Sequence, residues 1–291
     1  MIGRLKTYTD FIKIEHTLFA LPFAFAGAFL SASGLFSLRV FILILIAFTG
    51  MRTLAMTLNR IIDKDIDALN PRTADRHLPA GVTSLRDSYA IAIVSAVVFF
   101  FSAYLINETA FMLSPIPALT ALVYPYLKRF TCLSHYVLGL NLAYAPLGGW
   151  IAVSNSFNPL GGEFIITLLG AGVVFWVAGF DIIYGLQDIE FDKKYDLHSV
   201  GASFGIKNAL TISALNHTIF FFLITYSLYL YGLNAVAVMG IAIMALLLIY
   251  QHAIVGENYD EKKVQIAFFN ANAVTSAILL LSIIANTLTT F

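Results

Sequence analysis

Acidic residues recur at four-residue intervals where a long apolar segment ends. Residues 59–67 read NRIIDKDID and place Asn59, Asp63 and Asp67 four residues apart. Four residues advance an α-helix by about 400°, so these three side chains share one face while Asp65 points elsewhere. Carboxylate and amide oxygens are ligands suited to Mg²⁺, which usually shares its coordination with substrate phosphates. The stretch therefore predicts a site for Mg²⁺ and a phosphorylated substrate at a helix end.

A second acidic stretch, DIIYGLQDIEFDKKYD, closes another apolar segment. It places Asp181, Tyr184, Asp188 and Asp192 at i, i+3, i+7 and i+11, which is again one helical face. Carboxylates grouped in this way repel one another, so their regularity favours a bound cation. No histidine or cysteine joins either group, which disfavours metals that prefer imidazole or thiolate. A solvated loop with ordinary surface acids would explain one such motif more easily than two.

The composition indicates the medium in which these helices lie. The 291 residues are 59% hydrophobic and only 12% charged, with a mean hydropathy of +0.83. Soluble domains are about one quarter charged, so this chain has too little polar surface to cover a globule and is predicted to lie in a lipid bilayer. The zero net charge gives no sign of a nucleic-acid partner. The single cysteine, Cys132, excludes a disulfide framework.

Nine apolar segments are long enough to cross a bilayer. They lack the period-two alternation of barrel strands, so we predict an all-α polytopic membrane protein formed by one domain, residues 1–291. The predicted spans are 18–36, 39–58, 89–106, 110–127, 135–153, 163–184, 209–231, 233–251 and 266–286.

Basic residues predict the orientation of these spans. With the N-terminus in the cytoplasm, every lysine and arginine except Arg39 falls on the cytoplasmic side, including Arg4, Lys6 and Lys13. Both acidic stretches then lie on the cytoplasmic side as well, within the two long connections 59–88 and 185–208. No cleavable signal peptide is apparent, and we predict a bacterial inner-membrane protein with its active-site loops in the cytoplasm.

Longer stretches around the two motifs resemble a known family. The chain is similar to the UbiA-type intramembrane aromatic prenyltransferases, whose signatures are N-x-x-x-D-x-x-x-D and D-x-x-x-D after the second and sixth helices. MRTLAMTLNRIIDKDIDALNPRTADRHLPAG, YPYLKRFT, LGLNLAYAPLGGW and DIIYGLQDIEFDKKYDLHSVGASFG together carry the resemblance across residues 51–205. HTLFALPFAFAGAF resembles the first helix of the 4-hydroxybenzoate polyprenyltransferase branch.

The resemblance implies an activity and a fold. The expected reaction is Mg²⁺-dependent transfer of a polyprenyl group from its diphosphate to an aromatic acid, most simply 4-hydroxybenzoate, in the biosynthesis of ubiquinone- or menaquinone-type quinones. The expected fold is a bundle of nine transmembrane helices around a central cavity. Such a cavity would shield an allylic cation from water.

The resemblance also implies roles for individual residues. Asn59, Asp63, Asp67, Asp188 and Asp192 are the expected metal and diphosphate ligands, and Arg72, Arg76, Lys128 and Lys194 are candidates for direct diphosphate contact. Two residues depart from the pattern. His77 stands where many relatives have proline, which is expected to change only the turn. His198 stands where a lysine is common, and Lys193 or Lys194 is expected to replace that contact.

Arg52 is the most informative of the candidate residues. It lies seven residues before Asn59, on the same face and about 10 Å deeper in the membrane. Because a charge inside a membrane is costly and by default functional, we expect Arg52, together with Arg129, to orient the carboxylate of the acceptor. Asp181 and Tyr184 are expected on the same wall, to bind the phenol or to take the proton that the ring loses.

Other functions compete with this interpretation. A secondary transporter would place ionisable residues near the midplane instead of at helix ends. A CDP-alcohol phosphotransferase would show D-G-x-x-A-R, which this chain lacks. Within the family, dihydroxynaphthoate, haem, chlorophyllide and an intermediate of the futalosine route to menaquinone remain possible acceptors. The sequence predicts neither the prenyl chain length nor the oligomeric state.

Overall fold

The computed structural model describes residues 10–11, 15–257 and 260–289, and within these residues it is helical without strands. The first helices are α1 (Glu15–Ala32), α2 (Leu38–Ile62), α3 (Lys64–Leu69), α4 (Leu85–Ile106), α5 (Glu108–Leu113), α6 (Pro115–Leu127) and α7 (Ser134–Ser154). They are followed by α8 (Phe164–Gly185), a 3₁₀ turn (Leu186–Asp188), α9 (Ile189–Lys194), α10 (Val200–Tyr231) and α11 (Ala235–Ile254). The last are α12 (Glu261–Gln265), a π-helical turn (Ile266–Ala271) and α13 (Asn272–Thr289).

Eight helical segments of the described chain are long and apolar enough to cross a membrane. The first predicted span, 18–36, falls on α1, which ends at Ala32 and is not among these eight segments. The all-α prediction is therefore confirmed, while the count of nine spans and the cytoplasmic N-terminus stay predictions. The basic residues Arg4, Lys6 and Lys13, which contributed to that orientation, lie outside the described residues.

Several helices are longer than the apolar runs that predicted them. The span predicted over 209–231 is preceded by helical residues from Val200, with a kink at Gly205, whose φ of 79° is not helical. The span predicted over 163–184 is followed directly by the 3₁₀ turn and by α9, as far as Lys194. A helix satisfies its own backbone hydrogen bonds, so it continues into polar sequence after the apolar run ends. Both acidic stretches lie on such extensions.

Glycines allow α7 to pack closely against two neighbouring helices. A Cβ atom on Gly149 would collide with the backbone carbonyl of Ala24 in α1, and one on Gly139 would collide with the backbone of Val174 in α8. Small residues of this kind are typical where membrane helices touch, because they let the backbones approach. These contacts hold α1, α7 and α8 together.

The core beside these contacts is aromatic. Trp176 of α8 is fully buried, and the centroids of its rings lie 4.9 Å from Phe23, 5.0 Å from Phe180 and 6.0 Å from Phe220. Buried aromatic pairs add to the packing energy of the apolar surface that they remove from solvent or lipid. The core therefore fixes α8, the helix that carries the second acidic stretch.

The first acidic stretch crosses a helix junction without losing its common face. Asp63 ends α2 and precedes α3 with φ −92° and ψ 3°, yet its amide donates to the carbonyl of Asn59 and the amide of Asp67 donates to the carbonyl of Asp63. The four-residue spacing therefore persists through the bend. Asp65 is exposed, whereas Asp63 and Asp67 are buried.

Candidate active site

The two acidic stretches face one polar cavity of about 180 Å³. The first stretch and the loop after it form one wall, and the ends of α6, α7 and α8 with the loop before α10 form the other. The residues with polar side chains that line the cavity are Asn59, Asp63, Asp67, Asn70, Arg72, Thr73, Arg76, Tyr124, Lys128, Ser134, His135, Asp181, Tyr184, Asp188, Asp192, His198 and Ser199.

The first stretch is held by basic side chains. Lys128 Nζ lies 2.7 Å from Asp63 Oδ2, and the amide of Asn59 donates to the same oxygen at 3.0 Å. Arg76 Nη1 donates to both oxygens of Asp67, at 2.7 and 2.8 Å. Burial raises the pKa of the Asp63 carboxyl, and the charge and hydrogen bond of Lys128 oppose that shift.

The second stretch is linked to the first by Arg72. Its guanidinium forms an ion pair with Asp188 through two nitrogens, with Nε at 2.8 Å from Oδ1, and its Nη1 donates to the hydroxyl of Tyr184 at 3.0 Å. Asn70 also donates to Asp188, at 2.8 Å, and accepts a hydrogen bond from the amide of Arg72. The loop after the first stretch therefore fastens the two walls together.

Ion pairs with basic side chains relieve the repulsion among these carboxylates, for which the sequence analysis expected a bound cation. The regular carboxylates were expected to need a cation, but here Lys128, Arg76 and Arg72 neutralise Asp63, Asp67 and Asp188. Within the described residues, no three histidine, cysteine or acidic side chains are grouped closely enough to hold a metal ion by themselves.

The site nevertheless fits Mg²⁺ that binds together with a phosphate. Asp63 Oδ1 is buried and accepts no hydrogen bond from the described residues, although Arg129 Nη2 lies 3.5 Å from it. All the candidate ligands are carboxylate or amide oxygens, and Mg²⁺ needs only one or two protein carboxylates when substrate phosphates supply the rest. The side chains therefore fit a metal ion shared with a diphosphate better than one enclosed by protein alone.

A larger and mostly apolar cavity of about 380 Å³ borders the polar one, since Asn59, Tyr124 and Asp181 line both. Side chains of α1, α2, α4, α6, α7 and α8 form its walls. Arg52 also lines it, and its Nε is buried without a hydrogen-bond partner in the described chain. An unpaired buried guanidinium nitrogen is costly, so Arg52 is placed to receive an anionic or polar ligand group.

Two predicted residues lie elsewhere. Arg129 lines neither cavity: its guanidinium donates to the carbonyl of Ile62 at 3.0 Å and stacks on Tyr126. It also forms an ion pair with Asp63 Oδ1 at 3.5 Å, so it caps α2 and supports the first acidic stretch instead of facing an acceptor beside Arg52. Lys194 also lines neither cavity, and its ammonium lies over the ring of Tyr195. At helix termini such cations bind carbonyls or aromatic faces close by, which spacing alone does not reveal.

Three residues line the polar cavity that the sequence analysis did not assign to the site. His198, which departs from the family pattern, lines the cavity itself, and its Nδ1 is buried without a partner in the described part of the chain. Asn70 follows Asp67 by three residues, about one helical turn, and this spacing could have extended the first acidic stretch. His135 forms a close pair with Asp181, whereas in sequence it looks like an isolated histidine.

Comparison with known proteins places the chain among prenyltransferases. The profile of the UbiA prenyltransferase family matches residues 20–273. A 4-hydroxybenzoate octaprenyltransferase of Vibrio cholerae is 32% identical over 176 residues, which is 60% of this chain and 60% of that protein. The same enzyme of Aliivibrio fischeri is 29% identical over 246 residues, 84% of each chain.

Solved structures agree with this placement. The apo structure of a UbiA homolog from Aeropyrum pernix K1 is 39% identical, covers 94% of this chain and 98% of its own, and superposes with a TM-score of 0.85. A UbiA homolog from Archaeoglobus fulgidus, bound to DMAPP and Mg²⁺, is 21% identical, covers 96% and 99% of the two chains, and superposes with a TM-score of 0.69. At that identity the second likeness is one of fold alone.

Proposed function

Because this chain belongs to the UbiA prenyltransferase family, we propose that it transfers a polyprenyl group from polyprenyl diphosphate to a small aromatic acid, of which 4-hydroxybenzoate is the first candidate. One observation carries the proposal: a polar cavity with paired acidic and basic side chains borders a larger apolar cavity. Such a pair of cavities matches a substrate with a diphosphate head and a long hydrocarbon tail.

The head group belongs in the polar cavity. Asn59, Asp63, Asp67, Asp188 and Asp192 would hold Mg²⁺ with the diphosphate, and the bound metal would neutralise charge that develops on the leaving group. Arg72, Arg76 and Lys128 lie beside the same carboxylates, within hydrogen-bond distance of three of them. They are therefore placed to bind the remaining phosphate oxygens, a role suited to arginine and lysine.

The hydrocarbon tail and the aromatic ring belong in the apolar cavity. Its walls include Phe48, Phe99, Phe180 and Phe268, and these rings both exclude water and offer π-faces to a cation. Excluding water matters because an allylic cation exposed to it would be hydrolysed. Asn59, Tyr124 and Asp181 mark the boundary where the diphosphate carbon and the ring would meet.

The reaction at that boundary needs one base. The allylic C–O bond breaks and its electron pair leaves with the diphosphate, while a ring carbon ortho to the hydroxyl supplies the pair for the new C–C bond. The proton on that carbon must then be removed so that the ring regains its aromaticity. Asp181 lines both cavities and is our candidate for the base, and Tyr184, bound to Arg72, lies on the same wall.

Arg52 provides a test of acceptor recognition. If Arg52 pairs with the substrate carboxylate, Arg52→Ala is expected to raise KM for the aromatic acid and to leave KM for the prenyl diphosphate nearly unchanged. Losing a hydrogen bond to a charged group typically costs about 1.5–3 kcal/mol, which corresponds to roughly a 10- to 150-fold loss in kcat/KM for the acid. Steady-state kinetics with each substrate varied in turn would measure this, and equal damage to both KM values would contradict the assignment.

The acceptor itself is identified by an assay with several aromatic compounds. Purified protein in lipid vesicles would be incubated with labelled polyprenyl diphosphates of several lengths and with 4-hydroxybenzoate, dihydroxynaphthoate, the aromatic acid of the futalosine route, haem or chlorophyllide. We expect a ring-prenylated product from an aromatic acid. Diphosphate hydrolysis alone, with no prenylated product from any acceptor, would overturn the proposed function.

We also propose that this reaction occurs at the cytoplasmic face of a bacterial inner membrane, in the service of quinone biosynthesis. The distribution of basic residues supports the side: Arg39 lies at the first turn of α2, whereas Arg60 and Arg72 lie at or beyond its other end, beside the acidic cavity. Since α2 has 25 residues, these ends are about 37 Å apart, which is enough to cross the hydrocarbon core.

A further inference from the structure

His135 and Asp181 form a buried pair at the boundary of the two cavities. His135, in the first turn of α7, is 6% exposed, and its Nδ1 lies 2.7 Å from Oδ2 of Asp181 in α8. Asp181 lines both cavities and its side chain is 20% exposed, so it is open to a ligand on one side and held by His135 on the other. No other hydrogen bond to the Asp181 carboxylate is formed by the described residues.

The contact of the second ring nitrogen of His135 shows which of the two nitrogens carries the proton. Nε2 accepts a hydrogen bond from the backbone amide of Val200, at 3.3 Å. A neutral imidazole has one donor and one acceptor nitrogen, so an accepting Nε2 assigns the proton to Nδ1. His135 therefore donates to Asp181 Oδ2. A second N–H on the ring would point at the N–H of Val200, so this geometry selects the tautomer that carries its proton on Nδ1.

From this arrangement, we infer that His135 is the positioning residue for Asp181 in ring deprotonation. The inference rests on the proposed prenyl transfer. Asp181 Oδ2 is occupied by His135, which leaves Oδ1 to receive the proton of the prenylated ring carbon. The C–H electron pair returns to the ring, the proton binds Asp181, and it then leaves to water in the polar cavity. His135 keeps its own proton on Nδ1 throughout.

His135 also connects this base to the loop that closes the diphosphate site. Val200 begins α10, directly after His198 and Ser199, and both of these line the polar cavity. One imidazole therefore joins the base in α8 to the start of the next helix. A histidine that only filled space would not need both nitrogens engaged with the two walls. In this pair His135 orients Asp181 through a hydrogen bond, as outer residues orient the functional groups of other sites.

Removing the imidazole tests the inference. His135→Ala is expected to lower kcat by roughly 10- to 100-fold, the usual scale for losing an orienting hydrogen bond, and to change KM for the prenyl diphosphate by no more than a few-fold. His135→Gln retains an N–H donor for Asp181 and an oxygen for the amide of Val200, so it is expected to recover most of the lost rate. Rates would be measured with purified protein, 4-hydroxybenzoate and Mg²⁺.

A double-mutant cycle separates positioning from structure. If His135 acts through Asp181, His135→Ala should have almost no further effect in an Asp181→Asn protein, because the base that it orients is already gone. Tyr136→Phe is a matched control: it removes the hydrogen bonds between the Tyr136 hydroxyl and Asn216, one residue along the same helix, without touching either cavity. It should behave as wild type.

Three outcomes would overturn the inference. One is a His135→Ala effect of full size in the Asp181→Asn background. Another is a His135→Gln protein that folds normally and is as slow as His135→Ala. The third is a His135→Ala protein whose thermal unfolding midpoint falls while its kcat stays at the wild-type value. If wild-type protein prenylates no aromatic acid, the proposed function fails together with this inference, whereas an active wild type with insensitive His135 variants refutes the inference alone.

Discussion

Asp63→Asn and Asp188→Asn are each expected to lower kcat by roughly 10²-fold or more, the usual scale for removing one preorganised electrostatic stabiliser. Asparagine keeps the shape of aspartate and one oxygen ligand, but it removes the charge that attracts a cation. Each substitution also leaves a basic partner unpaired, Lys128 in the first case and Arg72 in the second. Steady-state rates with saturating prenyl diphosphate and acceptor would measure the loss.

The double mutant that combines Asp63→Asn with Asp188→Asn shows whether the two acidic stretches act together. If Asp63 and Asp188 serve one metal–diphosphate site, the combined loss should be far smaller than the product of the two single losses. Asp65→Asn is the matched control, since Asp65 is exposed and lies outside the polar cavity. It should stay within a few-fold of wild type. A fully multiplicative double mutant, or an Asp65 as sensitive as Asp63, would contradict a shared site.

Chelation of divalent metal is expected to abolish turnover, and added Mg²⁺ or Mn²⁺ to restore it. Every proposed ligand is a carboxylate or amide oxygen, the type that these hard cations prefer. The structure adds a second expectation: because basic side chains already neutralise Asp63, Asp67 and Asp188, chelation should leave the thermal unfolding midpoint unchanged.

The two readouts together separate catalysis from folding. Activity would be followed as label transferred to the aromatic acid, and unfolding by the fluorescence of the two tryptophans. Full turnover in metal-free buffer would contradict a metal role in the reaction. A large fall in the unfolding midpoint on chelation would instead indicate a structural metal, which the described ion pairs do not require.

Much of the site could be predicted because it follows helical periodicity. Asn59, Asp63 and Asp67 lie four residues apart, and they line one cavity even though the helix bends at Asp63. Asp181 and Asp188 likewise keep a common face across a 3₁₀ turn. Local spacing survives such bends because the backbone hydrogen bonds around Asp63 continue through the junction.

What could not be predicted depends on contacts between distant segments. Arg72 reaches Asp188 across 116 positions, and Lys128 reaches Asp63 across 65. Nothing in the local sequence distinguishes these cations from Lys194, which lies over the ring of Tyr195, or from Arg129, which divides its contacts between the carbonyl of Ile62 and Asp63. The rotamer and neighbours of a long cationic side chain are set by tertiary packing.

The contact of His135 with Asp181 could not be predicted from the local sequence either. In sequence His135 stands alone among apolar neighbours, and isolated histidines in helices are usually structural. Its contact with Asp181 forms only when α7 and α8 pack at Gly139 and Val174. The signal available in sequence was one of position: His135 follows YPYLKRFT, a segment that already carried the resemblance to the family.

Both acidic stretches are expected to bind one metal–diphosphate group. The most direct measurement is a crystal structure of the protein with Mn²⁺ and a non-reactive prenyl diphosphate analogue, with the metal located by its anomalous scattering. We expect Mn²⁺ in the polar cavity, about 2.1 Å from carboxylate oxygens of both acidic stretches and from the diphosphate, with the tail in the apolar cavity. Metal bound to one acidic stretch alone, or a diphosphate bound outside the polar cavity, would contradict a shared metal–diphosphate site.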